Sequence, residues 1–176
     1  MDSTTAAPAG ENTELRKFLD SYDREVATTV RLLRAYPADK LDLRPADKLK
    51  TARELAWIFA AEQGLAEKAL TTGFDWSTPP TGMPDPPETM DEIIQALEDG
   101  HRRVTEHLRG MSRDDLAKTV QFFVAPKQLG DIPLMDFLWF LLHDHIHHRG
   151  QLSVYQRIAG GRVPSIYGPT ADEPWF

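Results

Sequence analysis

Cysteine is absent from all 176 residues. That excludes disulfides, thiolate-bound zinc, iron–sulfur clusters and a cysteine nucleophile. Any metal must therefore sit on His, Asp or Glu. A long apolar run is missing too: nothing approaches the roughly 20 continuous apolar residues of a membrane helix. The opening Met1-Asp2-Ser3-Thr4-Thr5 lacks the basic and apolar regions of a signal peptide. A cytoplasmic protein with no membrane partner is expected. Positive charge is in deficit, with 20 Lys and Arg against 27 Asp and Glu and a net charge of −7. This is the wrong sign for a protein that lives on phosphate backbones, so nucleic acid is not an expected partner. What remains is ordinary globular material. At 41% hydrophobic and 27% charged, it is enough for one core in a chain of this length.

Residues 1–10 are small and polar and are read as a disordered tail, leaving 11–176 as a single domain that ends in a coil. From Thr13 the apolar residues Leu15, Phe18, Leu19, Tyr22, Val26, Val30 and Leu33 recur at steps of three and four, predicting a helix to about Ala35. Thr51-Ala52-Arg53-Glu54 reads as a capping box that opens a second helix with the stripe Leu55, Ile58, Phe59, Leu65 or Ala66, and Ala69. Glu62 falls inside that stripe, on the wrong face for a solvated carboxylate. Proline and glycine crowd residues 73–88 into a loop. A second capping box, Thr89-Met90-Asp91-Glu92, opens a third helix with the stripe Ile93, Leu97, Val104 and Leu108. Lys118–Val124 has β-type residues and suits a short extended piece or hairpin arm. A last helix, with Pro133 in its first turn, runs to about Ala159 and stops at Gly160-Gly161. Four amphipathic helices must bury their stripes against one another, so the predicted fold is an all-α four-helix bundle.

Four of the six histidines lie in Leu141-Leu142-His143-Asp144-His145-Ile146-His147-His148-Arg149-Gly150-Gln151. At about 100° per residue, with His148 as zero, Phe137, Leu141, Leu152 and Tyr155 fall within about 40° of it, as does Asp144. The predicted core stripe therefore carries two ionisable groups in its middle. His143 and His147 fall on the flank, so the zincin-like spacing of His143 and His147 points away from the bundle. Asp144 and His148, one turn apart, can offer an oxygen and a nitrogen to one divalent cation, with Glu62 as a third ligand or a base. The alternative is a plain Asp144–His148 hydrogen bond, with Glu62 at a wet end of the bundle. His101 reads as a boundary residue, and His107 and His145 as partly solvated. Trp57, Trp139 and Phe140 read as packing residues.

The run His147-His148-Arg149-Gly150-Gln151-Leu152, followed by Tyr155, Gly160-Gly161, Val163-Pro164 and Ile166-Tyr167-Gly168, resembles the last helix and tail of the DinB (DinB/YfiT-like) family. Glu54-Leu55-Ala56 is similar to the opening of its second helix. The resemblance implies an up-down-down-up bundle, a homodimer, and a divalent metal of the zinc or nickel class held by three histidines. Members with assigned activities are transferases or isomerases that use low-molecular-weight thiols such as bacillithiol, mycothiol or glutathione, with an electrophilic small molecule as second substrate. Position by position, His148 matches the second histidine of the family's last-helix pair, while Asp144 stands where the first is. The remaining histidine should fall at Trp57 or Ile58, and neither binds metal. Glu62, one turn beyond Ile58, is the nearest substitute.

Two readings follow from the sequence. One is a metal-dependent thiol transferase with a degenerate site: Glu62, Asp144 and His148 on the cation, and His147, Arg149 and Gln151 orienting them from behind. The other is a non-catalytic dimeric bundle, a stress or interaction protein, with no metal bound.

Overall fold

The computed structural model describes residues 13–77 and 82–176. The tail assigned to residues 1–10, and residues 78–81 of the proline-rich loop, lie outside the described residues. The chain forms α1 (Thr13–Arg34), a 3₁₀ turn (Ala38–Lys40), α2 (Ala52–Leu70), α3 (Met90–Arg109), the single-turn α4 (Arg113–Leu116), the strands β1 (Thr119–Ala125) and β2 (Gln128–Pro133), and α5 (Leu134–Ile158). No described helix is long and apolar enough to cross a membrane.

The helix starts are where side chains close the first turn. Thr51 and Thr89 each accept the backbone N–H three residues on, and Glu54 and Glu92 reach back to the cap nitrogen, satisfying two otherwise orphaned donors apiece. The same device at Ser112 and Asp115 opens α4, which sequence periodicity does not register because one turn shows no stripe. Pro133 closes β2 and caps α5 rather than sitting inside its first turn.

An all-α chain is not what forms. β1 and β2 pair antiparallel around Pro126 and Lys127, with Val120 opposite Ile132 and Phe122 opposite Gly130, and an irregularity between Phe123 and Ala125. The hairpin is short because only Val120 of β1 is fully buried; Phe122 rests against Phe74 and Phe137. The architecture is mostly helical with this one ribbon leading into α5.

The core is a continuous cluster in which Phe18, Tyr22, Val26, Val30 and Leu33 of α1 meet Leu55, Ile58, Phe59 and Ala66 of α2, Ile93, Leu97, Val104 and Leu108 of α3, and Leu138, Leu142 and Leu152 of α5. The first three helices bury the stripes that their spacing predicts. α2 packs on α3 and α5, and α1 on α3 and α5. Close approach of α2 and α3 depends on Gly100, where a Cβ atom would lie 2.6 Å from Gln63 Cβ.

Candidate cation site and the buried relay behind it

Glu62, Asp144 and His148 come together. One ligand atom from each lies within 4.8 Å of the others. Glu62 reaches in from the buried face of α2 and is 4% exposed. Asp144 and His148 stand a turn apart on α5, with His148 Nε2 3.5 Å from Asp144 Oδ2. They do not occupy the middle of the core stripe, as their spacing suggested. Both are half-buried, and the Asp144 side chain is 39% exposed. The site is a boundary between core and water, with its acid from α2 inside and its α5 pair at the rim.

The residues suit a cation on two observations. Glu62 Oε1 is buried with no hydrogen-bond partner, so one carboxylate oxygen is left over for a cation. Two carboxylates and one imidazole form a mixed oxygen and nitrogen set, which suits borderline divalent ions. Gln151 Oε1 lies 3.2 Å from His148 Nδ1. An amide oxygen only accepts, so Nδ1 carries a proton, and Nε2 is the ring nitrogen that faces Asp144. Gln151 Nε2 donates in turn to His147 Nε2 at 2.9 Å. Gln151 thus bridges the His148 and His147 rings.

Arg149 and His145 are elsewhere than expected. Phe137, Leu141, Leu152 and Tyr155 are buried as their spacing predicts, but so are Leu134, Met135, Leu138, Leu142, His145, Arg149 and Gln156, and the centre of this buried arc lies about 60° round the helix from His148. His145, expected to be partly solvated, is 2% exposed. Its Nδ1 lies 3.1 Å from Glu62 Oε2 and its Nε2 2.7 Å from Thr29 Oγ1. Arg149, expected beside the ligands or on the surface, is 1% exposed. It donates to Glu25 Oε2 at 2.5 Å, to the Glu25 carbonyl at 3.0 Å and to the Tyr167 hydroxyl at 2.5 Å. Tyr167 donates to the same Glu25 oxygen at 2.8 Å. The spacing Leu138, Leu142, His145, Arg149, Leu152, Gln156 carries this arc and was the available signal.

Burial decides the protonation of the inner pair. The Glu62 carboxyl is pushed up to about 9, first by loss of water and then by the charge of Asp144. His145 is pushed down to about 3, first by burial and then by the Arg149 charge. Both favour neutral forms. The hydrogen bonds agree: the Thr29 hydroxyl donates to the Glu25 carbonyl at 3.0 Å, so its oxygen accepts His145 Nε2–H, and Nδ1 accepts from the neutral Glu62 carboxyl.

The cavity beside Glu62 and His145, walled by Phe18, Tyr22, Ala66 and Leu142 among others, holds only about 10 Å³. The bundle interior at this point is filled rather than open. Ile58 is core, and Trp57 Nε1 donates to the Pro84 carbonyl at 3.0 Å. His143 and His147 are exposed, as the angles predicted. His101 is a boundary residue, its Nε2 2.9 Å from Asp23 Oδ1 and its ring against Tyr22.

The YrdA protein of Bacillus subtilis strain 168, described as uncharacterized, is 26% identical over 159 residues, covering 90% of this chain and 91% of the relative. Two crystal structures share the fold. A DinB-like protein of Bacillus cereus ATCC 10987 has a TM-score of 0.72 and 24% identity, covering 86% of this chain and 97% of that one. The DinB-like protein YjoA of Bacillus subtilis has a TM-score of 0.63 and 17% identity, covering 85% and 97%. Residues 21–152 match the sequence profile of the DinB superfamily, a span that takes in the second part of α1, all of α2 and α3, the hairpin and the cation-site residues of α5, and the chain belongs to that superfamily.

Proposed function

We propose that Glu62, Asp144 and His148 hold one divalent cation of the zinc or nickel class, and that the protein is a transferase joining a low-molecular-weight thiol to an electrophilic small molecule. The convergence of three ligand atoms within 4.8 Å, one of them on a carboxylate with an unpartnered buried oxygen, carries this reading. A divalent cation at such a site supplies positive charge that favours the thiolate form of a coordinated thiol. That suits a chain with no cysteine nucleophile of its own.

The protein's own residues divide the work. Gln151 holds His148 by Nδ1, with Nε2 facing Asp144. Asp144 offers its carboxyl group from the water boundary. Glu62 offers its second carboxylate oxygen from inside, and at the expense of its proton acts as ligand or base. Substrate would have to approach from the α5 rim, because the interior cavity is too small for it. The up-down-down-up order belongs to the same reading. Glu67 beside Arg103 and Gln63 beside Gly100 support α2 and α3 running in the same direction, and Arg34 at the end of α1 beside Glu98 near the middle of α3 supports α1 running opposite to them.

The test is metal analysis of untagged protein, together with turnover of an aromatic electrophile against bacillithiol, mycothiol and glutathione. About one cation per chain is expected, with turnover by at least one thiol, and Asp144→Ala should lower both tenfold or more. Metal-loaded protein that is inert with all three thiols overturns the transferase. Metal content unchanged in Asp144→Ala overturns the site.

A further inference from the structure

We infer that His145 and Thr29 are positioning residues that aim the Glu62 carboxylate at the Asp144–His148 pair. This rests on the cation-site reading above and adds residues that no ligand spacing points to.

Glu62 is a flexible side chain, and an unrestrained carboxylate turns freely about its last bond. Here one oxygen is taken. His145 Nδ1 sits 3.1 Å from Oε2, which leaves Oε1, buried and without a hydrogen-bond partner, as the oxygen free to serve a cation. The imidazole is itself fixed at its other end, where Nε2 meets Thr29 Oγ1 at 2.7 Å. Thr29 is fully buried and anchored to the Glu25 carbonyl. The Phe59 ring lies 4.8 Å from the imidazole, limiting its tilt. Three helical residues thus hold the Glu62 carboxylate in place: Thr29 from α1, Phe59 from α2, and His145 from α5.

The arrangement is more than packing. A buried imidazole without partners costs stability, and an apolar residue would fill this place in a core with less penalty. The chain instead keeps a polar line from α1 to a carboxylate whose remaining oxygen has no protein partner. Partners that orient a ligand from behind typically contribute about 10–100-fold to metal affinity.

Asparagine places an amide atom close to where Nδ1 stands and can serve Glu62 in either hydrogen-bond direction. Leucine is of similar volume and can do neither. The experiment is a cobalt(II) titration followed by visible absorbance, in a His143→Ala background that breaks the exposed His143 and His147 pair. Parent, His145→Asn, His145→Leu and Thr29→Val are compared, each with its melting temperature. Expected are one cobalt per chain in the parent, His145→Asn within about threefold of it, and His145→Leu weakened about 10–100-fold with an altered absorption band. Thr29→Val, which keeps the ring and its packing, should fall between them. If Leu and Asn bind cobalt like the parent and only melting temperatures change, His145 is structural and the inference fails while the cation site stands. If the parent binds no cobalt, both fail.

Discussion

Arg149→Met is expected to destabilise the protein by about 3–5 kcal/mol, because it removes one half of a buried ion pair and leaves the other half charged. Arg149 and Glu25 are 1% and 5% exposed, and their 2.5 Å contact is reinforced by the Glu25 carbonyl and by Tyr167, whose ring also lies beside the guanidinium. Methionine fills much of the same volume but offers no donor to the Glu25 carboxylate. Lysine would not restore the site, since one ammonium cannot serve the carboxylate, the carbonyl and the phenol oxygen in the same fork. The double variant Glu25→Gln/Arg149→Met is expected to recover part of the loss, because no uncompensated charge remains. Urea denaturation at neutral pH reads both. A loss under about 1 kcal/mol in the single variant would show that water reaches Glu25.

Glu62→Gln is expected to do the opposite to the cation-free protein, raising its stability by about 3 kcal/mol at pH 7 while abolishing cation binding. The sign follows from proton counts. With the folded Glu62 carboxyl pushed up to about 9, the native state holds a proton that the unfolded chain has released above its ordinary value of 4.5. Native stability therefore falls as pH rises from about 4.5 to 9. His145, pushed down to about 3, works in the other direction: the unfolded chain binds the extra proton, so stability rises between about 3 and 6.5. The two cancel near pH 5–6, and above pH 6.5 only the Glu62 slope survives. Glutamine abolishes that slope. Melting temperatures of the metal-free parent should stay level from pH 5 to about 6.5 and decline from there to pH 9, whereas those of Glu62→Gln should rise to about pH 6.5 and then stay flat; parallel curves would mean that Glu62 is ionised in the fold. A residue that weakens the empty protein and is needed for the ion is the expected signature of a functional group held in a core.

Most of the helical frame is legible in the chain because local chemistry marks it. Thr51 with Glu54 and Thr89 with Glu92 announce helix starts, and in α1 and α3 apolar and charged residues are separated cleanly enough to fix which side faces inward. Glu62 stands out for the same reason, as an acid inside the apolar stripe of α2. α5 is different. Phe140, Val154 and Ile158 are half exposed or more on its outer side, while Leu138, Leu142 and Leu152 are buried, so apolar residues occur all round and hydrophobicity alone does not set its rotation. Taking His148 as the centre places the helix about 60° from where it packs. That single offset accounts for Asp144 at the rim, and for His145 and Arg149 in the interior where solvated residues were expected. The hairpin was hinted at by Val120–Val124, yet its partner strand Gln128–Pro133, with Gly130 and Pro133, carries no alternating pattern. It is held by pairing to β1 rather than by burial of its own.

The most direct measurement is a calorimetric titration of zinc into metal-free protein carrying His143→Ala, set beside the same titration of its Glu62→Gln and His148→Ala derivatives. One binding event per chain in the first, absent from both derivatives, is the predicted result. Equal heats in all three, or none in the first, would contradict a cation held between α2 and α5.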